Sequence, residues 1–189
     1  GIEFIEFATP QPQALGSVLQ MLGFSAVARH RSREVMLYRQ GTMNLIVNAE
    51  GHGAAPAATH LSGVAFRVRD AAFALRHAVD AGAWELPRRA SAMELNIPGI
   101  MGSGNSAIHF VDRYKDFSIY DVDFVPLPGI EPHPPAIGGM HYFGVVQAVG
   151  AFRSAEWVEF YQELLGFKVL PEGQFFGILP KGALLASPC

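Results

Sequence analysis

The sequence has little charge, a single cysteine and no long apolar run, and each shortage closes off a class of function. Charged residues make up 16% of the 189 positions against 50% hydrophobic. A chain of that balance can bury a sizeable core and is not a disordered segment. It also lacks a basic excess: the formal net charge is -3, which leaves no electrostatic footprint for nucleic acid or an anionic membrane. No stretch of about eighteen apolar residues occurs, and no basic segment followed by an apolar one opens the chain. A soluble, cytoplasmic protein with neither nucleic-acid nor membrane partners is therefore expected. The only cysteine, Cys189, rules out an internal disulfide and a cysteine-pair metal site.

What is present is one pattern begun three times. Gly1–Phe7, Leu61–Val68 and Gly139–Val146 each read as a strand and each precedes an apolar-periodic helix. In the first unit, Ala14, Leu15, Val18, Leu19 and Leu22 form one helix face, closed by Gly23. Strands at Phe24–Arg29, Val35–Arg39 and Met43–Asn48 follow, with Gln40-Gly41 as a turn. In the second unit, Asp70 is placed to cap a helix over Ala71–Ala81. Short strands are expected at Trp84–Pro87, Met93–Ile97, Ala107–Asp112 and Ile119–Phe124, with a glycine-rich loop at 99–104. A proline-rich bridge at 126–138 separates these units from the third. There Trp157, Phe160, Tyr161, Leu164 and Leu165 supply a helix face, and Phe175–Leu179 and Ala183–Ala186 read as strands.

The resulting fold class is α+β, built from paired βαβββ modules that form curved mixed sheets. One such module leaves an apolar sheet face uncovered, so the modules work in pairs. Residues 1–125 make the first pair and 139–189 the incomplete first module of a second. Its unfinished strand edges would favour association, by swapping, into a homo-oligomer.

Candidate chemistry is sparse. His141 stands in the opening strand of the third unit, where a neutral imidazole is either a satisfied histidine or a first ligand for ferrous iron or zinc. A catalytic metal normally needs three protein ligands. His109 could face the cavity of the first paired sheet, but its companions at matching positions, Phe7 and Gly63, do not coordinate metal. His30, Arg31 and Arg33 beside Ser32 read as a salt-bridged surface turn. Asp121 and Asp123 fall on one side of a strand, as a solvent-facing strand end or a carboxylate pair. Gly102-Ser103-Gly104 is too short for a nucleotide loop. Glu156, Glu159 and Glu163 form a solvated helix face.

The run Gly1-Ile2-Glu3-Phe4-Ile5-Glu6-Phe7-Ala8, with Leu22-Gly23-Phe24, Arg29-His30-Arg31-Ser32 and Leu37-Tyr38-Arg39-Gln40-Gly41, resembles the 4-hydroxyphenylpyruvate dioxygenase family of the vicinal oxygen chelate superfamily. Asn44–Asn48, Ala65–Val68, Glu94–Pro98, Asp112-Arg113-Tyr114 and Ser118–Phe124 extend the resemblance. It is close over 1–125 and looser over 139–189. The resemblance implies a metal-free N-terminal domain and a C-terminal domain with a two-histidine, one-carboxylate Fe(II) site. In that frame His141 matches the first iron histidine, and the other ligands lie beyond Cys189. The implied partners are a small aromatic α-keto acid and O2, giving homogentisate and CO2. Met140 and Gly144 depart from the family pattern around this histidine, which leaves the substrate open. A related domain associated with 3-dehydroshikimate dehydratase, or a non-catalytic protein of the same fold, is the alternative.

Overall fold

A computed structural model describes residues 1–51, 55–87, 94–171 and 182–188. The first unit runs β1 (Ile2–Ala8), α1 (Pro12–Met21), β2 (Ser25–His30), β3 (Val35–Gln40) and β4 (Met43–Asn48). The second runs β5 (His60–Arg67), α2 (Ala71–Asp80), β6 (Gly99–Met101) and β7 (Ala107–Val111), followed by α3 (Tyr120–Asp123) and β8 (Phe124–Pro126). All eight strands form one mixed, curved sheet in the order β6-β7-β5-β1-β4-β3-β2-β8.

The repeat is visible in the pairing. β1 runs parallel to β4 and β5 parallel to β7, while β1 and β5 join antiparallel at the centre. Each module thus contributes its first strand to the seam. β1 alternates in the way a half-buried strand must. Ile5 and Phe7 pack with Leu15 and Leu19 of α1 against Tyr38, Leu45 and Val47. Phe4 points the other way, into a cluster with Val35, Leu37, Ile46, Ala65 and Val111. On the outer face of the second module, Ala71 and Ala78 of α2 meet Ile100, Ile108 and Phe110.

The helix ends follow the expected chemistry. The Asp70 side chain accepts from the Phe73 N–H at 2.8 Å and caps α2. Gly23 takes φ +89° just past α1, the left-handed position that terminates helices and that glycine occupies without a Cβ penalty.

Several expected elements differ. The Trp84–Pro87 strand reduces to one bridge, Glu85 with Ile100. Of the Met93–Ile97 strand, Met93 lies outside the described residues and 94–97 form no strand. The strand begins instead at Gly99, within the expected loop. A Cβ at Gly99 would lie 2.7 Å from the Ile108 carbonyl oxygen, so only glycine permits this approach to β7. Ile119–Phe124 is not a strand either. Ile119 and Tyr120 are adjacent and pack into the same core cluster, whereas neighbours in a strand point to opposite faces. Asp121 therefore belongs to a turn, accepting from the Ser118 N–H at 2.7 Å, and Asp123 is buried at 6% exposure rather than solvent-facing.

The proline-rich segment runs along the first module. The Leu127 N–H donates to the Val27 carbonyl at 2.9 Å, and the Gly41 N–H to the Pro134 carbonyl at 2.8 Å. In the third unit, 140–150 have no regular structure, because among the described residues no strand pairs with them. The helix does form, as α4 (Ser154–Leu165), and β9 (Lys168–Val169) pairs with β10 (Leu185–Ala186). The Phe175–Leu179 strand lies outside the described residues. Leu164, Phe160 and Tyr161 of α4 pack into the α2 cluster.

Candidate functional site

The paired sheet holds a cavity of about 780 Å³ on the face away from α1 and α2. Alternation positions its floor. Phe4 and Glu6 of β1, Ile46 and Asn48 of β4, and Ala107 and His109 of β7 all line it. At the seam, Glu6 stands opposite Gly63, and Gly63 beside Ala107. A Cβ at Gly63 would lie 3.4 Å from the Ala107 carbonyl oxygen, 3.5 Å from the Ala107 Cβ and 3.6 Å from Glu6 Oε2. Glu6 is 5% exposed, and Asn48 Nδ2 donates to its Oε1 at 2.8 Å. The His109 ring lies 5.7 Å from that of Phe4, tilted by 41°.

The roof is pinned by polar contacts. Glu94 accepts from Ser32 Oγ at 2.6 Å and from Arg33 Nε at 3.1 Å. That hydrogen bond is the main reason the Arg33 pKa is raised. The buried Asp123 carboxylate accepts from the Leu95 N–H at 3.1–3.2 Å. His30 packs edge-on to Phe124. Burial lowers its pKa below the usual 6.5, and the Asp123 and Glu94 charges oppose that shift only in part.

A second polar group sits around Glu3, which is 2% exposed. Arg67 Nε donates to its Oε2 at 2.5 Å, and Asn44 Nδ2 donates to its backbone carbonyl at 3.0 Å. The Tyr120 hydroxyl is pushed well above its ordinary pKa by burial and by Glu3. The same Asn44 Nδ2 lies 3.4 Å from Glu3 Oε1, and a buried carboxylate paired with a guanidinium in this way is a structural lock. The Tyr142 hydroxyl donates to the Asn44 carbonyl, tying the third unit to β4.

The residues singled out from sequence are scattered. His109 does face the cavity, but Phe7 does not: it packs under α1, and Glu6 is the β1 residue that meets Gly63. Glu6 and Asn48 were overlooked, although a glutamate and an asparagine inside apolar strands mark a polar cavity floor. His30 and Arg33 belong to the cavity's roof and wall, with Arg33 salt-bridged to Glu94, whereas Arg31 is exposed. Ser103 and Gly104 form a tight 3₁₀ turn. Glu156, Glu159 and Glu163 are solvated, Glu156 pairing with Arg153 at 2.7 Å.

His141 is exposed and apart from the cavity. Its Nδ1 lies 3.2 Å from the Gly139 carbonyl oxygen. A carbonyl can only accept, so a hydrogen bond there needs a proton on Nδ1, and in a neutral ring Nε2 is then the acceptor nitrogen. That is the tautomer and backbone orientation common among metal-ligating histidines. Among the described residues, no group of three His, Cys, Asp or Glu side chains converges as a metal site. Among the described residues, His141 has no further ligands converging on it.

The strand order and the two parallel pairs flanking an antiparallel seam define a vicinal oxygen chelate fold. The chain belongs to the 4-hydroxyphenylpyruvate dioxygenase family: residues 1–125 match the model for the N-terminal domain of hydroxyphenylpyruvate dioxygenase. A 4-hydroxyphenylpyruvate dioxygenase of Pseudomonas sp. strain P.J. 874 is 39% identical over 96% of this chain and 54% of its own length. A 3-dehydroshikimate dehydratase of Pseudomonas aeruginosa is 35% identical over 100% of this chain and 31% of its own. The chain spans about half the length of the curated dioxygenase relatives it matches. Among solved structures, a xylose isomerase-like TIM barrel/4-hydroxyphenylpyruvate dioxygenase fusion protein superposes with a TM-score of 0.71 at 28% identity, over 89% of this chain and 28% of that one. No described helix is long and apolar enough to cross a membrane.

Proposed function

We propose that this chain is part of an Fe(II)-dependent dioxygenase that converts 4-hydroxyphenylpyruvate and O2 to homogentisate and CO2 in the cytoplasm. In this reading residues 1–125 are a metal-free N-terminal domain, 126–138 a linker, and 139–189 the start of the catalytic domain. The observation that carries it is the family match over residues 1–125, followed in the same chain by His141, exposed and with Nδ1 3.2 Å from the Gly139 carbonyl oxygen. Bound ferrous iron would supply a Lewis-acidic, redox-active centre for the keto acid and dioxygen. The chain's own part is to hold and orient. His141 offers one nitrogen, and the Gly139 carbonyl fixes its ring by accepting from Nδ1–H. Tyr142, anchored at the Asn44 carbonyl, secures the adjacent backbone against β4.

The whole-chain similarity to a 3-dehydroshikimate dehydratase supports a second reading, in which the fold accompanies that activity. The test is the full-length protein assayed for iron content, for O2 uptake with 4-hydroxyphenylpyruvate, and for turnover of 3-dehydroshikimate. About one iron per chain, keto-acid-dependent O2 uptake, and loss of both in His141→Ala are expected. Full iron occupancy and full O2 uptake in His141→Ala overturn the assignment of this histidine. Turnover of 3-dehydroshikimate without O2 uptake favours the second reading.

A further inference from the structure

The segment that joins the first two modules to the third unit is docked rather than free. From Glu131 to His141 every residue is exposed except Pro134 and Ala136, which are half-buried. Burial therefore contributes little, and hydrogen bonds hold the segment. Arg39 Nη1 donates to the Pro132 carbonyl at 2.8 Å, the Gly41 N–H to the Pro134 carbonyl at 2.8 Å, and the Ile137 N–H to Gln40 Oε1 at 3.1 Å. Three consecutive residues of the first module thus meet one extended stretch. A Cβ at Gly41 would lie 2.7 Å from that of Ala136, so glycine permits the approach. Pro132, Pro134 and Pro135 have fixed φ, which lowers the freedom lost on docking.

We infer that residues 132–142 are a strap latched to the first module by Gln40, and that its release frees the start of the third unit as one piece. Gln40 is 0% exposed. Its Nε2 donates to the carbonyl of Leu22, the C-cap of α1, at 2.9 Å, while its Oε1 holds Ile137. One side chain thus ties the end of α1 to the strap, and an apolar side chain of similar volume can do neither.

Beyond the latch the chain turns through Ile137–Gly139, with Gly138 and Gly139 at φ +60° and +71°. Tyr142 then returns to the sheet. Its ring packs against the cluster containing Tyr38, Leu45 and Val47, and its hydroxyl donates to the Asn44 carbonyl. Gln40 and Asn44 flank the turn between β3 and β4, and Arg39 Nε joins Asn44 Oδ1 at 2.7 Å. Both anchors of the strap therefore sit on one hairpin end. Exposed segments held by few hydrogen bonds open below the free energy of global unfolding, so the strap can leave while the sheet stays folded. The inference rests on the proposed function only for its division of the chain, in which the strap sets the following domain on the N-terminal one.

The experiment is amide hydrogen exchange of the full-length protein, resolved by mass spectrometry. Gln40→Met removes both amide bonds at similar volume and is expected to speed exchange at Gly41 and at Met140–Tyr142 about fivefold, the scale of one ordinary hydrogen bond. Tyr142→Phe removes one hydroxyl and is expected to do the same at Gly41, which Tyr142 does not hydrogen-bond. In both variants β5 and β7 should exchange as before. Unchanged exchange at Gly41 in Tyr142→Phe overturns the single-piece strap, and this variant decides the matter if Gln40→Met does not fold. Unchanged exchange at both places in a folded Gln40→Met overturns the latch. An increase spread evenly over β1, β5 and β7 also overturns it, because that reports general loss of stability. Exchange needs neither iron nor turnover, so failure here is distinct from failure of the proposed function.

Discussion

Two regions of this chain begin with the same kind of segment and end differently. Ile2–Ala8 and His60–Arg67 are strands with a hydrogen-bonded neighbour on each side, β4 and β5 for the first, β1 and β7 for the second. Residues 140–150 have comparable apolar content and no strand at all, and Val146 and Phe143 are 84% and 74% exposed. Meanwhile α4, a few residues on, forms and buries Leu164. The contrast separates local from non-local structure. A helix closes its hydrogen bonds within its own segment, so an apolar face to dock on suffices. A strand has only the ladder its neighbours provide, and its backbone groups otherwise go to water.

The largest expected effect sharpens that contrast directly. Leu37→Ala, at 1% exposure in the core of the paired sheet, should cost about 3 kcal/mol, while Val146→Ala should change stability by less than about 0.5 kcal/mol. Urea unfolding of the two variants measures both. Equal costs would mean that 140–150 is as well packed as the sheet.

Gly99→Ala tests whether the second module's edge depends on one missing Cβ. Backbone at 2.7 Å cannot yield as a flexible side chain can, so a loss of about 1–3 kcal/mol is expected. Hydrogen exchange should show faster amides in Gly99–Met101 and Phe110, with β1 to β4 unaffected.

Asp70→Ala removes the cap of α2 and should cost about 1 kcal/mol. The fall in Tm should be reversed by Asp70→Asn. A cap loss without effect would show that packing of Ala71 and Ala78 alone holds the helix.

The smallest effect is a pH dependence at the cavity roof. His30 has its folded pKa lowered by burial relative to 6.5 in the unfolded chain. The unfolded state therefore binds the proton more readily, and the contribution to stability is complete above about pH 6.5 and declines as pH falls below it. His30→Gln should flatten this part of the Tm profile between about pH 5 and 7. An unchanged profile would place the acid sensitivity elsewhere.

Much of the first module was legible because its signals are local and regular. Val35–Arg39 and Met43–Asn48 alternate or run apolar between turn residues, and Gly23 marks a helix end by its own conformational chemistry. The second module was harder to read at its edge. Gly99-Ile100-Met101 looked like a loop because two of the glycines nearby favour turns, whereas Gly99 is there to let β6 approach Ile108. Ile119–Phe124 looked like a strand because its apolar and acidic residues alternate, yet the Ser118–Asp121 hydrogen bonds make a turn there.

The candidate sites divide in the same way. His141 is a candidate ligand by residue type, segment and family resemblance, all local signals, and its Nδ1 meets a carbonyl two residues away. The cavity was not recognisable, because Glu6, Asn48 and His109 are far apart in sequence and meet only through the β1–β4 and β1–β5–β7 pairings.

From sequence alone came the α+β class, the repeated module, the family and the ends of α1 and α2. All of these rest on composition, on periodicity or on short runs of residues. Tertiary structure decided which strands exist and which face each side chain takes. It placed a glutamate, rather than the neighbouring phenylalanine, opposite Gly63. A one-residue change of register reverses every side chain of a strand, and register is set by partners distant in the chain.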